Sequence, residues 1–186
     1  MKDLIKKAEA FFRNNLPKTR PPSVYTPHVE LVRKYALILG KEYNADLLVL
    51  EVAALLHDIG ADAGDVHAFK SAEIAGKFLS EQGIDEDTKE KIISAIRNHS
   101  MIQKGEEFKE GVNIADQVLR DADGIAFLED TFKGYLEIKL RKYGKDKAKQ
   151  ISLVKIKGML KKVKTEKGKE LANKFYPIAK EYISNF

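Results

Sequence analysis

One segment dominates the chain: Leu47-Leu48-Val49-Leu50-Glu51-Val52-Ala53-Ala54-Leu55-Leu56 carries a single charge and runs straight into His57-Asp58-Ile59-Gly60. Wound as a helix, it is apolar nearly all round, so it cannot lie on a surface and other helices must pack against every side of it. Residues 45–58 are therefore read as a central buried helix, too short to span a bilayer. Gly60 implies that the helix stops just after His57 and Asp58, where the negative end of its macrodipole favours a cation. An unpaired carboxylate at the rim of a core is costly. A metal ion, or a buried Asp–Arg or His–Asp pair, would relieve that cost.

The remaining pattern is helical as well. Residues 2–14 form an amphipathic segment stopped by Asn14, Asn15 and Pro17, and Lys18-Thr19-Arg20-Pro21-Pro22-Ser23 reads as an extended linker. Thr26-Pro27 looks like an N-cap with proline at the first helical position, placing His28 in the first turn of a helix that ends at Gly40. A loop is expected over residues 60–66, then helices over 67–81 and from an Asp85 cap to His99. After a polar loop come an apolar-periodic stretch over 112–142 and helices over about 146–163 and 166–184. No strand pair is credible, so the fold class is all-α. The expected organisation is an N-terminal helix over 1–16, a linker over 17–25 and the main domain over 26–186. The N-terminal helix either packs back on the domain or serves a dimer.

The chain has four histidines, His28, His57, His67 and His99. Adjacent helical residues point roughly 100° apart, so His57 and Asp58 can both reach an ion beside their helix. The apolar flank of His28 and the periodic stretch around Asp123 direct both of those residues inward. Together they offer two imidazoles and two carboxylates from three helices, a donor set for a borderline or hard divalent cation with room left for water and substrate. Taken singly, His28 suits a satisfied core histidine and Asp123 an ordinary buried ion pair.

The series His28…His57-Asp58…Asp123 resembles the signature of the HD-domain superfamily of metal-dependent phosphohydrolases, in particular its small stand-alone YpgQ-like group. The segments carrying the likeness are His28-Val29-Glu30-Leu31-Val32, Ala53 through Gly60, Ala95 through Ser100 and Leu119 through Asp123, together with the tail from Met159 to Ala172. The resemblance implies an HD-domain helical bundle with the metal site at its centre, and His28, His57, Asp58 and Asp123 as ligands. Asp121 rivals Asp123, which is preferred because superfamily members place the ligand in an Ala-Asp step. Relatives commonly follow that aspartate with a basic residue, whereas this chain has Gly124. A phosphate-contacting cation would then come from Lys70, Lys133 or the region Lys139–Lys169. In the YqeK-like and HD-GYP relatives extra histidines from the regions of His67 and His99 hold a second metal. These two residues are thus open to three roles: second-ion ligands, acid–base or phosphate-binding helpers, or ordinary surface histidines.

The implied reaction is hydrolysis of a phosphate ester or anhydride, most simply of a nucleotide. It would depend on one or two divalent ions (Mn, Fe, Mg, Co, Ni or Zn), with Asp58 or Asp123 orienting the water and His67 or His99 assisting the leaving oxygen. Dinuclear-iron oxygen chemistry and a non-catalytic metal- or nucleotide-binding regulatory module are the alternatives. Between Lys139 and Lys169 stand 13 Lys/Arg residues against Asp146 and Glu166. That imbalance suits either a solvated helix face or an anionic partner. Without base-reading motifs beside the lysines, nucleic acid is not the expected partner, and a homo-oligomer is left open. The absence of cysteine, of a secretory leader and of any membrane-length apolar run points to the cytoplasm.

Overall fold

The computed structural model describes residues 2–100 and 113–186. The polar loop expected after His99 lies outside the described residues. Helices α1 (Lys2–Asn14), α2 (Pro22–Glu42), α3 (Leu47–Leu56), α4 (His67–Ser80), α5 (Glu86–Asn98), α6 (Ile114–Ala126), α7 (Phe132–Tyr143), α8 (Lys145–Lys162) and α9 (Glu166–Asn185) follow in order, and no strand occurs among the described residues. The all-α expectation is met.

The apolar run behaves as its composition requires. From Val49 to Leu56 every residue of α3 except Glu51 is buried, with α1, α2, α5 and α6 packed around it. Asp46 caps the helix by accepting from the backbone N–H groups of Leu48 and Val49. Even Glu51 is paired, with Arg33 of α2. Helix α1 is part of the same core: Leu4, Ala8 and Phe12 are buried, and Phe12 lies 5.5 Å from the ring of Tyr25 on α2. Of its two expected fates, packing back on the domain is the one observed.

Three boundaries differ from the sequence reading. First, α2 begins at Pro22 rather than after Thr26, because Pro21 is extended (φ −57°, ψ 138°) and Pro22 takes the first helical position. Pro27 is thus inside the helix, where it forgoes one backbone bond, and His28 sits in the second turn. Second, residues Ala61–Val66 form a 3-10 helix rather than an open loop. Third, the stretch expected as one unit over 112–142 is broken by a π-helical turn, Phe127–Thr131, between α6 and α7. Such turns are frequent at functional sites, and Thr131 closes this one.

Candidate metal centre

Four imidazoles and two carboxylates converge at the end of α3. Ligand-capable atoms of His28, His57 and Asp58 all lie within 4.8 Å of one another, and so do those of Asp58, His67 and His99. Asp58 belongs to both sets: its Oδ2 lies 3.9 Å from His28 Nε2 and 3.8 Å from His57 Nε2, while its Oδ1 lies 3.4 Å from His67 Nε2 and 3.7 Å from His99 Nε2. Asp123 joins the first set, its Oδ1 standing 3.2 Å from His28 Nε2.

The surrounding backbone decides where each imidazole carries its proton. His57 Nδ1–H donates to the carbonyl of Ala54 (2.8 Å), His99 Nδ1–H to Ile96 (2.6 Å) and His67 Nδ1–H to Gly64 (2.9 Å). Carbonyl oxygens only accept, so the neutral form of each ring keeps its hydrogen on Nδ1 and leaves Nε2 bare. His28 Nδ1 meets Thr131 Oγ1 at 3.0 Å, and the Thr131 hydroxyl donates onward to the carbonyl of Ala126, so His28 is the donor in that pair too. All four Nε2 lone pairs therefore point into the cluster. Burial lowers the His57 pKa to about 3, which keeps its ring neutral, and burial lowers that of His67 too.

The donor set fits a cation and little else. His28 and His57 present Nε2 to Nε2 at 3.3 Å, and His67 and His99 at 3.2 Å, with no proton to share in either pair. Two donor atoms on one divalent ion, each about 2.0–2.2 Å from it, stand roughly 2.8–3.6 Å apart.

The carboxylates already have cations close by. Burial alone would push the Asp58 carboxyl up, but the charge of the Arg20 guanidinium beside it works the other way, and the carboxyl lies well below the ordinary range. Asp123 is likewise pulled down against its burial by Lys162. Arg20 Nη1 bonds to Asp58 Oδ2, and Lys162 Nζ bonds to Asp123 Oδ2 and to the carbonyl of His99. A cavity of about 600 Å³ opens from the cluster, with Arg20, Lys139, Lys155 and Lys162 on its basic side and Val24, Phe127, Tyr135 and Ile138 among its apolar walls.

The HD domain family matches residues 25–128, more than half of the chain. The chain belongs to the HD domain family. Two curated relatives share part of its sequence. The tRNA (cytidine(56)-2'-O)-methyltransferase of Thermoplasma volcanium is 30% identical over 119 residues, 61% of this chain and 33% of that protein. YpgQ of Bacillus subtilis is 29% identical over 97 residues, 52% of this chain and 47% of YpgQ. The chain thus spans about a third to a half of these curated relatives. Among solved structures, YpgQ superimposes with a TM-score of 0.74 at 22% identity, covering 98% of this chain and 93% of YpgQ. The complex of YpgQ with ADP gives 0.72 at 21% identity, covering 97% and 94%. At those identities the likeness establishes the HD fold.

The chain's own geometry refines the HD-type site residue by residue. His28, His57, Asp58, His67, His99 and Asp123 are brought together. Asp121 is turned away, its oxygens accepting from Gln117, from the backbone N–H groups of Lys164 and Thr165 and from the Thr165 hydroxyl, so it anchors the start of α9. Two of the lysines considered as phosphate contacts lie away from the cavity. Lys70 pairs with Glu73 one turn further along α4, Lys133 pairs with Asp130 of the preceding π-helical turn, all four are exposed, and neither lysine lines the cavity. On α8 the lysines that line it are Lys155 and Lys162, both from the expected region Lys139–Lys169. These stand with Met159 at i, i+4 and i+7 along α8, a one-face spacing that could have singled them out from the basic stretch. Gly124 explains how α8 comes so close: a Cβ there would lie 2.9 Å from Val163 Cγ2 and 3.0 Å from the Met159 carbonyl oxygen. The missing side chain after Asp123 makes room for a lysine from another helix. Arg20 and Thr131 carried no local signal beyond their residue types.

Proposed function

We propose that the chain is a metal-dependent phosphohydrolase that cleaves a phosphate ester or anhydride of a nucleotide. One observation carries the reading: four histidines whose Nδ1 protons are committed to backbone or threonine oxygens, leaving four bare Nε2 atoms around Asp58 and beside Asp123. A divalent cation held by His28, His57, Asp58 and Asp123 would lower the pKa of water and neutralise phosphoryl charge. The capture of ADP by YpgQ, a protein of the same fold, favours a nucleotide. Family membership favours hydrolysis.

The chain's own residues divide the remaining work. Lys162, buried against Asp123, balances a carboxylate at the edge of the cavity. Lys155 adds positive charge where phosphates would lie, 5.5 Å from the Phe127 ring, and the apolar wall suits a flat base or sugar. His67 and His99 are better placed as ligands of a second ion, together with Asp58 Oδ1, than as proton donors. A ring whose Nε2 is bare has no proton to give to a leaving oxygen.

The test is elemental analysis of purified protein beside a nucleotide hydrolysis screen with manganese, magnesium, cobalt and iron. Divalent-metal-dependent release of phosphate or pyrophosphate, abolished by chelator and by Asp58→Asn, is expected. Hydrolysis that survives chelation would refute the reading, and metal-loaded protein with no turnover across the screen would make it a binding module. The second histidine set also favours one rival, oxygen chemistry at paired iron. Stoichiometric iron with a charge-transfer absorption band, and no phosphate release, would select it.

A further inference from the structure

We infer that Arg20 is a phosphate-binding residue of this site, delivered from outside the HD match by the segment between α1 and α2 and set in place by Asp62. The inference deepens the phosphohydrolase reading and rests on it. Asp62 lies in the 3-10 helix just after Asp58, exposed and outside the cavity lining. Its carboxylate reaches back 43 and 44 residues to accept three hydrogen bonds: from Lys18 N–H at 3.0 Å, from Thr19 N–H at 2.8 Å and from the Thr19 hydroxyl at 2.6 Å. Arg20 is the next residue, and Pro21 and Pro22 stiffen the chain after it. Its backbone is thus held from both sides.

The side chain is used differently from an ordinary buried partner. It is 35% exposed, lines the cavity with Lys155 and Lys162, and places Nη1 on Asp58 Oδ2, the oxygen nearest His28 and His57. A carboxylate shared by two sets of bare imidazoles has cations of its own to hold and does not need a guanidinium to neutralise it. An arginine fork at the mouth of such a cluster matches the paired oxygens of a phosphoryl group. The ligand chemistry is a di- or polyphosphate: one phosphoryl group at the cluster, a neighbouring one on Arg20.

Asp62 is then a positioning residue, acting through Arg20. Calorimetric binding of inorganic pyrophosphate and of ADP to the manganese-loaded protein tests both residues, together with its manganese content. Arg20→Ala is expected to weaken pyrophosphate binding about tenfold or more, the worth of one good charge-assisted contact, with manganese content unchanged, and Arg20→Lys to recover part of it. Asp62→Ala should weaken binding in the wild-type background and add nothing in the Arg20→Ala background. Unchanged binding in Arg20→Ala, independent losses in the double variant, loss of manganese with Arg20, or wild-type protein that binds neither probe would overturn the inference. Arg20-dependent binding without any turnover would instead sink the phosphohydrolase reading and leave Arg20 as a phosphate-binding residue.

Discussion

Asp58 is the residue on which both histidine sets depend, because its two oxygens face different pairs of imidazoles. Asp58→Ala should therefore strip the metal from both sets, whereas His57→Ala should empty only the first. Both variants should keep near-native far-UV circular dichroism, since the side chains lie at the end of α3 and not in its packed middle. Metal analysis showing full occupancy in the doubly substituted protein would sink the assignment. For His67 and His99, replacing either by alanine should remove one of the two ions while His28, His57 and Asp123 keep theirs. Unchanged metal content with a roughly 100-fold lower rate would point to acid–base work instead. The histidines were legible one at a time in the sequence. Their tautomers were not, because Ala54, Ile96, Gly64 and Thr131 act through backbone curvature and a π-helical turn.

Helix α8 brings a lysine to the side of Asp123. Its Lys162 is almost fully buried, and removing one member of a buried ion pair typically costs about 3–5 kcal/mol. Lys162→Ala should lower the stability of metal-free protein by that order and that of metal-loaded protein by much less, because an ion then holds Asp123. Denaturant melts with and without manganese would measure the difference, and equal losses in the two states would contradict the pairing. The contact depends on Gly124, whose absent side chain lets the end of α8 approach α6. In sequence Gly124 looked like a departure from the family pattern. In the fold it is the means by which Lys162 reaches Asp123.

The molecule as a whole places its N-terminal helix inside the cooperative unit. Phe12 is fully buried against Tyr25, which itself lines the cavity, and Phe11 stacks on Phe78 with ring centroids 4.5 Å apart. Phe12→Ala should cost about 3–5 kcal/mol, as deletion of a core aromatic does, and the unfolding transition should stay single. An unchanged midpoint would mean that α1 is an appendage. The reach of α1 could not be read from its amphipathic pattern, which suits a dimer face equally well. The sequence by itself determined the all-α class, the central helix and the inward histidines and aspartates, because helical periodicity and apolar content act over one or two turns. Tertiary structure alone decided that Asp58 is shared, that Asp121 anchors the segment leading into α9 while Asp123 faces the cluster, and which cations stand beside the two carboxylates. Arg20 and Asp58 are 38 residues apart and Lys162 and Asp123 are 39 apart. Contacts at that separation depend on how whole helices pack, and no local spacing encodes them.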